Sequence, residues 1–295
     1  MLCGAIDIHK HVFQAVVIDP KSGEATEDRF DATREELRRW ADERLVGSEC
    51  AVAVEATTGW RWVWRELAGR GIEVRLAEPV QARALRGRRR KAKNDRLDAR
   101  WLALLLAREM LPEAWIPPLD IQRLRDLTRL RQAIAEDRTR WAQRLHAFLV
   151  HEGWPCSRSR LLTATGRRWV RALSLEAAAA RHAERLLGLI EALDQEIGEV
   201  ERELRAIARE DARAQALQGL YGVGPLIACT LLAEIGEARR FRRAAQITRL
   251  AGLDPVVEES ADTRRRGHLA KAGSPHLRWA LVEAAVHASR PAHPS

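Results

Sequence analysis

Two acidic residues stand in apolar, strand-like runs, where a carboxylate needs a chemical reason to be present. Asp7 lies in the run 4–8, and Glu55 ends the run 50–55. A carboxylate in such a position costs free energy unless it is paired or binds a cation. Two of them at neighbouring strand positions would repel each other and raise a pKa unless a metal ion neutralised both. Alternatively, each acid only caps its strand or pairs with an arginine.

A second pair of acids, Asp95 and Asp98, lies three residues apart in a segment that predicts a helix over 95–110. This spacing puts both on one helical face. The helix dipole alone also favours acids in a first turn, which is the simpler explanation. However, the surrounding run 83–100 is strongly basic, and acids inside a phosphate-attracting patch are typical of metal ligands beside a nucleic-acid backbone. The basic residues expected to contact phosphates are Arg88, Arg89, Arg90, Lys91 and Lys93.

An all-oxygen ligand set of this kind favours Mg²⁺ or Mn²⁺ over Zn²⁺. Two such ions, about 3.5–4 Å apart, could stabilise both oxygens in the displacement at a phosphodiester. The sequence therefore predicts that a cation site acting on nucleic acid is formed by Asp7, Glu55, Asp95 and Asp98.

The elements around these acids predict a mixed sheet with helices on its faces. The N-terminal stretch predicts two or three strands, and Thr33 with Glu36 forms a capping box that begins a helix. Strand-like runs at 50–55 and 72–76 then alternate with helices. We therefore predict an α+β domain over 1–112.

From about residue 113 the pattern becomes helical. A long helix is expected over 120–151, and apolar residues from Leu186 to Ile207 alternate steps of four and three, which is a heptad seam. The seam could be buried in an antiparallel hairpin with the earlier helix, in a dimer, or in the ordinary packing of its own domain. The region 113–212 is thus predicted as long, helical and coiled-coil-like.

The last part of the chain, 213–295, is predicted as a mostly α-helical domain that engages DNA. A turn with Gly222 and Gly224 resembles a helix–hairpin–helix turn, in which the backbone approaches a phosphate, although a plain interhelical turn is the alternative. Ser260 lies in a polar loop, where a serine is normally only solvated. The basic residues that follow would favour an anionic phosphate: Arg264, Arg265, Arg266 and Lys271.

The amino-acid composition of the chain narrows the range of functions that it could have. The chain has 295 residues, and 50 Lys and Arg against 41 Asp and Glu give a net charge of +9, which favours a polyanionic partner. No apolar stretch approaches the ~20 residues of a membrane span, and the N-terminus lacks the layout of a signal peptide. The four cysteines stand far apart without a CxxC motif, which speaks against a disulfide scaffold or a Cys-rich zinc site. We expect a cytoplasmic, nucleoid-associated protein that does not bind membranes.

Together, the acidic motifs resemble those of the DEDD transposases of insertion sequences. The matching phrases are Ala-Ile-Asp7-Ile-His-Lys, Val-Glu55-Ala-Thr-Thr-Gly and Lys-Asn-Asp95-Arg-Leu-Asp98-Ala. The segment Gly-Leu-Asp-Pro, followed by Ser260 and a basic stretch, resembles the C-terminal transposase domain of the same family. The resemblance covers roughly residues 1–288.

This resemblance implies a RuvC-like, ribonuclease-H fold for the N-terminal domain, with the four acids holding Mg²⁺ or Mn²⁺. It implies that Ser260 is the nucleophile and forms a covalent phosphoserine link to DNA, in a composite site to which the acidic and serine-bearing domains both contribute, often across protomers. It further implies a homo-oligomer, either a dimer or a tetramer. A structured guide RNA encoded by the element would specify the donor and target DNA.

Two features depart from the family pattern. Ala261 stands where members usually carry glycine, which bears on the backbone freedom beside Ser260. The chain also ends soon after a helix predicted over 277–288, whereas family members continue through further helices. We therefore expect a shortened copy.

Two other functions remain open from the sequence. In a metal-dependent nuclease of the Holliday-junction type, water would attack the phosphate and Ser260 would be idle. A relic without catalytic activity would bind DNA or RNA and cleave neither.

Overall fold

The computed structural model describes residues 1–86, 95–260 and 263–290, and it leaves out the side chains of Asp95, 257–260 and 263–266. The chain forms two compact units, Met1–Ile116 and Pro117–Ser295. The predicted division into three domains stays a prediction. None of the helices in the described part of the chain is both long and apolar enough to cross a membrane.

The first unit is built on a five-stranded sheet. Its strands are β1 (Leu2–Ile8), β2 (Val12–Ile18), β3 (Ala25–Asp31), β4 (Cys50–Glu55) and β5 (Glu73–Ala77), in the order β3-β2-β1-β4-β5. The first three strands pair antiparallel, whereas β4 is parallel to both β1 and β5. The helices are α1 (Arg34–Arg44), α2 (Trp60–Ala68), α3 (Pro79–Ala84) and α4 (Asp95–Ala107). This confirms the predicted α+β class and is consistent with a ribonuclease-H-like N-terminal domain.

Each face of this sheet has its own core, because successive residues of a strand point to opposite faces. One face packs against α4 and is lined mainly by small side chains, among them Ala5, Ala51 and Ala53. These alanines let the buried side of α4 approach the strands closely. The other face carries larger residues, including Ile6 and Phe13, and is covered by residues of α1 and α2.

Local signals in the sequence explain where helices of this unit begin and end. Thr33 caps α1, and its hydroxyl oxygen accepts a hydrogen bond from the Glu36 backbone N–H at 3.2 Å. Gly59 precedes α2 with φ +99°, a conformation that favours glycine. α4 ends at Ala107 rather than at residue 110, and Glu109 has φ +55° just beyond it.

The second unit is mainly helical. Its helices are α5 (Leu119–His151), α6 (Arg158–Leu161), α7 (Ala164–Arg171), α8 (Ala177–Glu210), α9 (Ala212–Gln218), α10 (Pro225–Ile235), α11 (Ala244–Leu250) and α12 (Pro275–Ala288), with a short 3₁₀ turn at Ala238–Arg240. Two strands, β6 (Pro255–Ser260) and β7 (Thr263–Leu269), pair antiparallel between α11 and α12.

The two longest helices, α5 and α8, pack against each other and run antiparallel. Arg131 of α5 pairs with Glu201 of α8 at 2.6 Å, and Arg138, further along α5, pairs with the earlier residue Asp194 at 2.8 Å. The heptad residues Leu186 and Ile190 are buried in the core that this pair shares with α6 and α7. Within this chain the seam is therefore buried both against its antiparallel partner α5 and in the ordinary packing of its own unit.

The hairpin of β6 and β7 corrects one expectation. Ser260 is the last residue of strand β6, whereas the sequence pattern indicates a polar loop. The pattern misleads because the hairpin lacks the usual alternation of apolar and polar residues. Across the pair, the register sets Glu258 opposite Arg265 and Glu259 opposite Arg264.

Candidate active site

The carboxyl ends of β1 and β4 bring the first two acids together. The parallel register pairs Ile6 with Val54, and Asp7 and Glu55 are the next residue on each strand. Each acid is also fixed from its other side, because Asp7 stands opposite Gln14 of β2 and Glu55 opposite Ala77 of β5. Both carboxylates therefore project from ordered, central strands at the same edge of the sheet.

The alternation of side chains puts both acids on the face that α4 covers. Residues two and four positions before Asp7, and two and four positions before Glu55, all lie in the core beneath α4. Since every second residue of a strand points to the same face, Asp7 and Glu55 point to this face as well. Ala99 of α4 is fully buried in the same core.

Asp98 precedes Ala99 and is held at this edge by an arginine. The Arg86 guanidinium forms an ion pair with the Asp98 carboxylate and donates a hydrogen bond to the Leu97 carbonyl oxygen at 2.7 Å. The same guanidinium lies 5.9 Å from the ring centroid of Trp101. Asp95 is the first residue of α4, one turn before Asp98, and only its backbone is described.

The electrostatics of Glu55 show that three of these acids act on one another. Burial raises the pKa of the Glu55 carboxyl, and the negative charges of Asp7 and Asp98 raise it further. The positive charges of Arg83 and Arg86 oppose the rise. Such mutual repulsion, partly offset by arginine, is what a bound cation would relieve.

The donor chemistry of this edge fits a hard divalent cation. Its acids offer carboxylate oxygens, and no cysteine lies beside them in the strand ends or in α4. Among the described side chains, no three His, Cys, Asp or Glu groups are close enough to form a ready-made metal cage. The Asp95 side chain lies outside that comparison. In this structure the Arg86 guanidinium neutralises Asp98.

A histidine of the first motif, which is not one of the predicted site residues, joins the site. The His9 ring nitrogen Nε2 lies 3.1 Å from Oδ2 of Asp7. Because an imidazole can donate to a carboxylate, His9 orients the Asp7 side chain. The contact spans only two residues, and a His two positions after an Asp at a strand end is a weak signal in a sequence.

Two arginines of the basic run around α4 form ion pairs within the first unit. Arg96 pairs with Glu27 of β3, and Arg100 lies 3.4 Å from the same carboxylate. The predicted phosphate contacts Arg88, Arg89, Arg90, Lys91 and Lys93 lie outside the described residues.

In the second unit, the hairpin that carries Ser260 is closed at its base by backbone hydrogen bonds. The Ala270 N–H donates to the Asp254 carbonyl oxygen at 2.8 Å, and the Lys271 N–H donates to that of Gly252 at 2.9 Å. Ser260 and Thr263 are the last paired positions before the turn. Arg264, Arg265 and Arg266 follow on β7, and their side chains, like that of Ser260, lie outside the description.

Comparison with known protein families decides the identity of the chain. Residues 4–152, which include all four acids, match the DEDD transposase family of the IS110 type. The chain belongs to the IS110 family of transposases. A second match, to the transposases described as the IS116/IS110/IS902 family, covers residues 214–295 and includes Ser260. This confirms the resemblance inferred from the motifs.

Individual relatives are also described as transposases. The chain is 27% identical to a probable family 20 transposase of Pseudomonas aeruginosa, over 95% of this chain and 82% of the relative. It is 26% identical to the transposase for insertion sequence element IS1111A of Coxiella burnetii, over 95% of this chain and 76% of the relative. A putative transposase, y4rJ, of Sinorhizobium fredii is 30% identical over 79% of this chain, which spans 64% of that relative.

A buried carboxylate ties the serine-bearing hairpin of this transposase to the helical core. Glu234 of α10 is 5% exposed, and Arg129 of α5 donates to its two oxygens at 2.8 and 3.0 Å. The Ser274 hydroxyl donates to the same carboxylate at 2.8 Å. Ser274 also caps α12, and its backbone N–H donates to the Leu250 carbonyl oxygen at 2.9 Å. Glu234 thus connects α5, α10, α12 and the base of the hairpin.

Burial alone would raise the pKa of Glu234, but the hydrogen bonds and positive charge of Arg129 hold it below the usual value for glutamate. The carboxylate is therefore ionised and fully engaged. The sequence gives little warning of this role, because Glu234 lies near the end of an otherwise apolar helix, 105 residues from its arginine partner.

The predicted phosphate-binding turn has two glycines in different surroundings. Gly222 has φ +87°, and a Cβ at this position would lie 2.6 Å from the Ala284 carbonyl oxygen of α12. Gly224 caps α10 and faces open space. The missing side chain of Gly222 therefore serves close packing, whereas the surroundings of Gly224 leave room for a ligand. Phosphate binding by the turn stays a prediction, as does that of Lys271, which is exposed with φ +51°.

Proposed function

We propose that this transposase cleaves and rejoins DNA strands through Ser260, with the help of Mg²⁺ or Mn²⁺ held by the acids of the first unit. The observation that carries the proposal is the meeting of Asp7, Glu55 and Asp98 at one sheet edge, where two of the charges raise the pKa of the third. Sequence matches to transposases across both units support the same activity.

The residues that would hold the cation are Asp7, Glu55, Asp95 and Asp98. A divalent ion there would neutralise phosphate charge and stabilise the oxygens that enter and leave the phosphorus. The protein must also release Asp98 from Arg86, because one carboxylate that is paired with a guanidinium is a poorer metal ligand. Arg86, once released, lies in a position to attract a DNA phosphate to this edge.

The chemical step is a transesterification at a phosphodiester. The Ser260 hydroxyl gives up its proton to a base, its oxygen forms a bond to phosphorus, and the bond from phosphorus to one sugar oxygen breaks. That sugar oxygen takes up a proton, and the phosphate stays linked to the serine. In rejoining, a sugar hydroxyl of another strand attacks the phosphoserine and frees Ser260. The number of phosphodiester bonds is conserved, so no external energy source is required.

The partners of this reaction are nucleic acids. The net charge of +9 suits a polyanion, and the basic residues of the run 88–93 and of β7 would contact phosphates. Resemblance to the family supports a guide RNA that specifies the DNA sites, and a dimer or tetramer as the active form. Such an enzyme would act in the cytoplasm at the nucleoid.

The test is to trap a covalent protein–DNA adduct. The full chain is incubated with the end DNA of its element, the RNA from the element end and Mg²⁺, and the adduct is isolated under denaturing conditions and mapped by peptide mass analysis. We expect an adduct at Ser260 that disappears in Ser260→Ala and in Asp7→Asn. Ser159→Ala and Asp42→Asn, which change exposed residues elsewhere, are the matched controls.

Other outcomes assign other functions. DNA cleavage in Mg²⁺ that persists in Ser260→Ala would identify a nuclease in which water attacks the phosphate. Binding of DNA or RNA without cleavage, unchanged in Ser260→Ala and Asp7→Asn, would identify an inactive relic. Either result would overturn the serine mechanism.

A further inference from the structure

A pocket of about 490 Å³ lies at the carboxyl ends of β1 and β4 in the first unit, on the side of the sheet that α1 and α2 cover and opposite the side to which Asp7 and Glu55 point. Its walls come from the turn after β1, with His9 and Lys10, and from the loop after β4, with Thr57, Thr58 and Gly59. The first segment leaves the sheet after Ile8, one residue beyond Asp7, and the second leaves it after Glu55. Because ligands of open α/β sheets bind at the carboxyl ends of parallel strands, this position is a favourable one.

The indole ring of Trp62 lines the pocket and is held in place by a second aromatic ring, that of Phe13. Trp62 of α2 stacks on Phe13 of β2 with ring centroids 5.4 Å apart and an angle of 27° between the planes. The Arg34 guanidinium lies 5.9 Å from the Trp62 ring centroid. Phe13 is fully buried, whereas Trp62 is only partly buried and lines the pocket. A base that stacks on Trp62 would therefore share the ring with the Arg34 guanidinium, and the core beneath would stay in place.

Gly59 makes the pocket possible. Its φ of +99° turns the chain sharply between Thr58 and α2, and a Cβ there would lie 3.2 Å from Cγ2 of Ile8 and 3.7 Å from Nε1 of Trp62. A larger residue would strain the backbone and crowd Ile8, whereas its contact with the indole would be an ordinary one. The loop after Glu55 is anchored at its start, since the Ala56 N–H donates to the Ala77 carbonyl oxygen at 2.9 Å.

The polar groups around the ring match a nucleotide. Lys10 offers an ammonium group at the exposed rim, and Thr57 and Thr58 offer exposed hydroxyls. None of the residues that line this pocket is a carboxylate, although two acids stand just outside it. The phosphate of a bound nucleotide would thus be attracted to the rim. The next phosphate of the same strand would lie at the acidic edge only if a cation were bound there.

We propose that this pocket binds one unstacked nucleotide of the DNA strand whose next phosphate lies at the acidic edge, with its base on Trp62 and its own phosphate at Lys10. This inference rests on the proposed DNA substrate but not on the serine chemistry. The strand would pass around the end of the sheet from the pocket to the carboxylates, so that one chosen phosphate reaches them.

The test follows the tryptophan indole signals of the full chain by nitrogen-15 NMR. The chain has ten tryptophans, and the Trp62→Phe variant assigns the signal of Trp62. A thymidine tetranucleotide is titrated at low salt with Mg²⁺, beside an abasic tetranucleotide of equal charge. We expect the thymidine tetranucleotide to shift the Trp62 signal and the abasic one to leave it in place. Trp64, on the same helix but paired with Trp60 outside the pocket, is the internal control.

A second variant tests the proposal in case the Trp62→Phe substitution perturbs the fold. Lys10→Ala changes an exposed residue and should weaken the affinity of the Trp62 response about two- to fivefold at low salt, because one phosphate contact is lost. An unmoved Trp62 signal at saturating tetranucleotide, or equal shifts with the abasic one, would overturn the proposal. A larger, tighter response to a uridine ribotetranucleotide would assign the pocket to RNA instead of DNA.

The measurement is independent of strand cleavage. Ser260→Ala should give the same Trp62 response as the unchanged chain. A positive response combined with no serine adduct would leave the nucleotide pocket standing and reject the serine mechanism, and the reverse combination would reject only the pocket.

Discussion

Glu55 illustrates the repulsion among the carboxylates of the acidic edge. Its carboxyl is shifted toward the neutral form by burial and by the charges of Asp7 and Asp98, and Arg83 and Arg86 offset only part of this. The repulsion among these carboxylates therefore lowers the stability of the protein when no metal ion is bound. Such an arrangement is typical of a functional site, because purely structural acids are usually paired to satisfaction.

This arrangement predicts opposite effects of one substitution with and without metal. Without Mg²⁺, Glu55→Gln should make the protein more stable, by on the order of 1 kcal/mol, because the repulsion among the acids falls. With Mg²⁺ at about 100 times its Kd, the unchanged chain should gain about 2.7 kcal/mol, and Glu55→Gln should gain much less. Thermal unfolding at neutral pH, with and without Mg²⁺, measures both effects.

Asp42→Asn is the control for this prediction, because Asp42 is an exposed partner of Arg70 far from the strand ends in the sequence. It should respond to Mg²⁺ like the unchanged chain. An equal Mg²⁺ response in Glu55→Gln would remove Glu55 from the cation site.

At the scale of elements, the serine-bearing hairpin depends on helices that are distant in sequence. Segments 250–254 and 270–274 run side by side at its base, and the Arg278 guanidinium donates to the Ala251 carbonyl oxygen at 2.8 Å. Glu234 then links this base to Arg129 of α5. Strand β6 is thus supported from below by the helical core.

Glu234→Gln should weaken this support in a pH-dependent way. At neutral pH we expect a loss of about 1–3 kcal/mol, since Arg129 loses its charged partner but is itself partly exposed. Because the pKa of Glu234 is held below its usual value, the ion pair stabilises the fold above that usual value and is lost as the pH falls through the lowered one. Urea unfolding between neutral and acid pH should show the two proteins converging in acid.

Glu184→Gln is the matched control for this series. Glu184 forms an exposed ion pair with Arg171, and such pairs contribute about 0–1 kcal/mol. A Glu234→Gln variant that is no less stable than this control would show that the buried link does not hold the hairpin base.

The glycines before α10 give a second prediction at this scale. Gly222→Ala should destabilise the second unit by about 1–3 kcal/mol, because φ is +87° and the new Cβ would meet the α12 backbone. Gly224→Ala adds the same methyl group in open space and should change stability little. Denaturant unfolding compares the two, and equal effects would contradict the packing role of Gly222.

At the scale of the whole molecule, the charge of +9 is carried by two compact units that each contain a predicted nucleic-acid contact. Many arginines of the helical unit are already engaged in ion pairs, such as Arg171 with Glu184 and Glu191. The run 88–93 is the densest cluster of positive charge in the sequence. It should therefore dominate the salt dependence of DNA binding.

Replacing Arg88, Arg89 and Arg90 together by alanine should lower the slope of log Kd against log salt concentration by about 2–3, if each contacts one phosphate. Fluorescence anisotropy with a labelled duplex at several salt concentrations measures the slope. A variant with Arg181, Arg185 and Arg202 of α8 changed to alanine loses the same charge from exposed positions. Equal slopes in the two variants would mean that only net charge matters.

Local structure could be predicted from the sequence where signals between residues close along the chain dominate. The capping box at Thr33 predicted α1, and the heptad seam after Leu186 predicted a long helix in α8. The β6–β7 hairpin was missed because its strands form by pairing with each other and carry no apolar pattern. The contact of Glu234 with Arg129 was missed for a similar reason, since it joins positions 105 residues apart.

The sequence by itself determined the family, the residue types of the acidic motifs and most of the elements, because these depend on neighbours along the chain. Only the tertiary structure decided that Asp7 and Glu55 lie at the carboxyl ends of adjacent parallel strands on the face that α4 covers, that Arg86 pairs with Asp98, and that Trp62 stacks on Phe13. The physical reason is that strand register, helix packing and ring stacking are set by contacts between segments far apart in the chain. No local pattern records which of the possible partners a side chain meets.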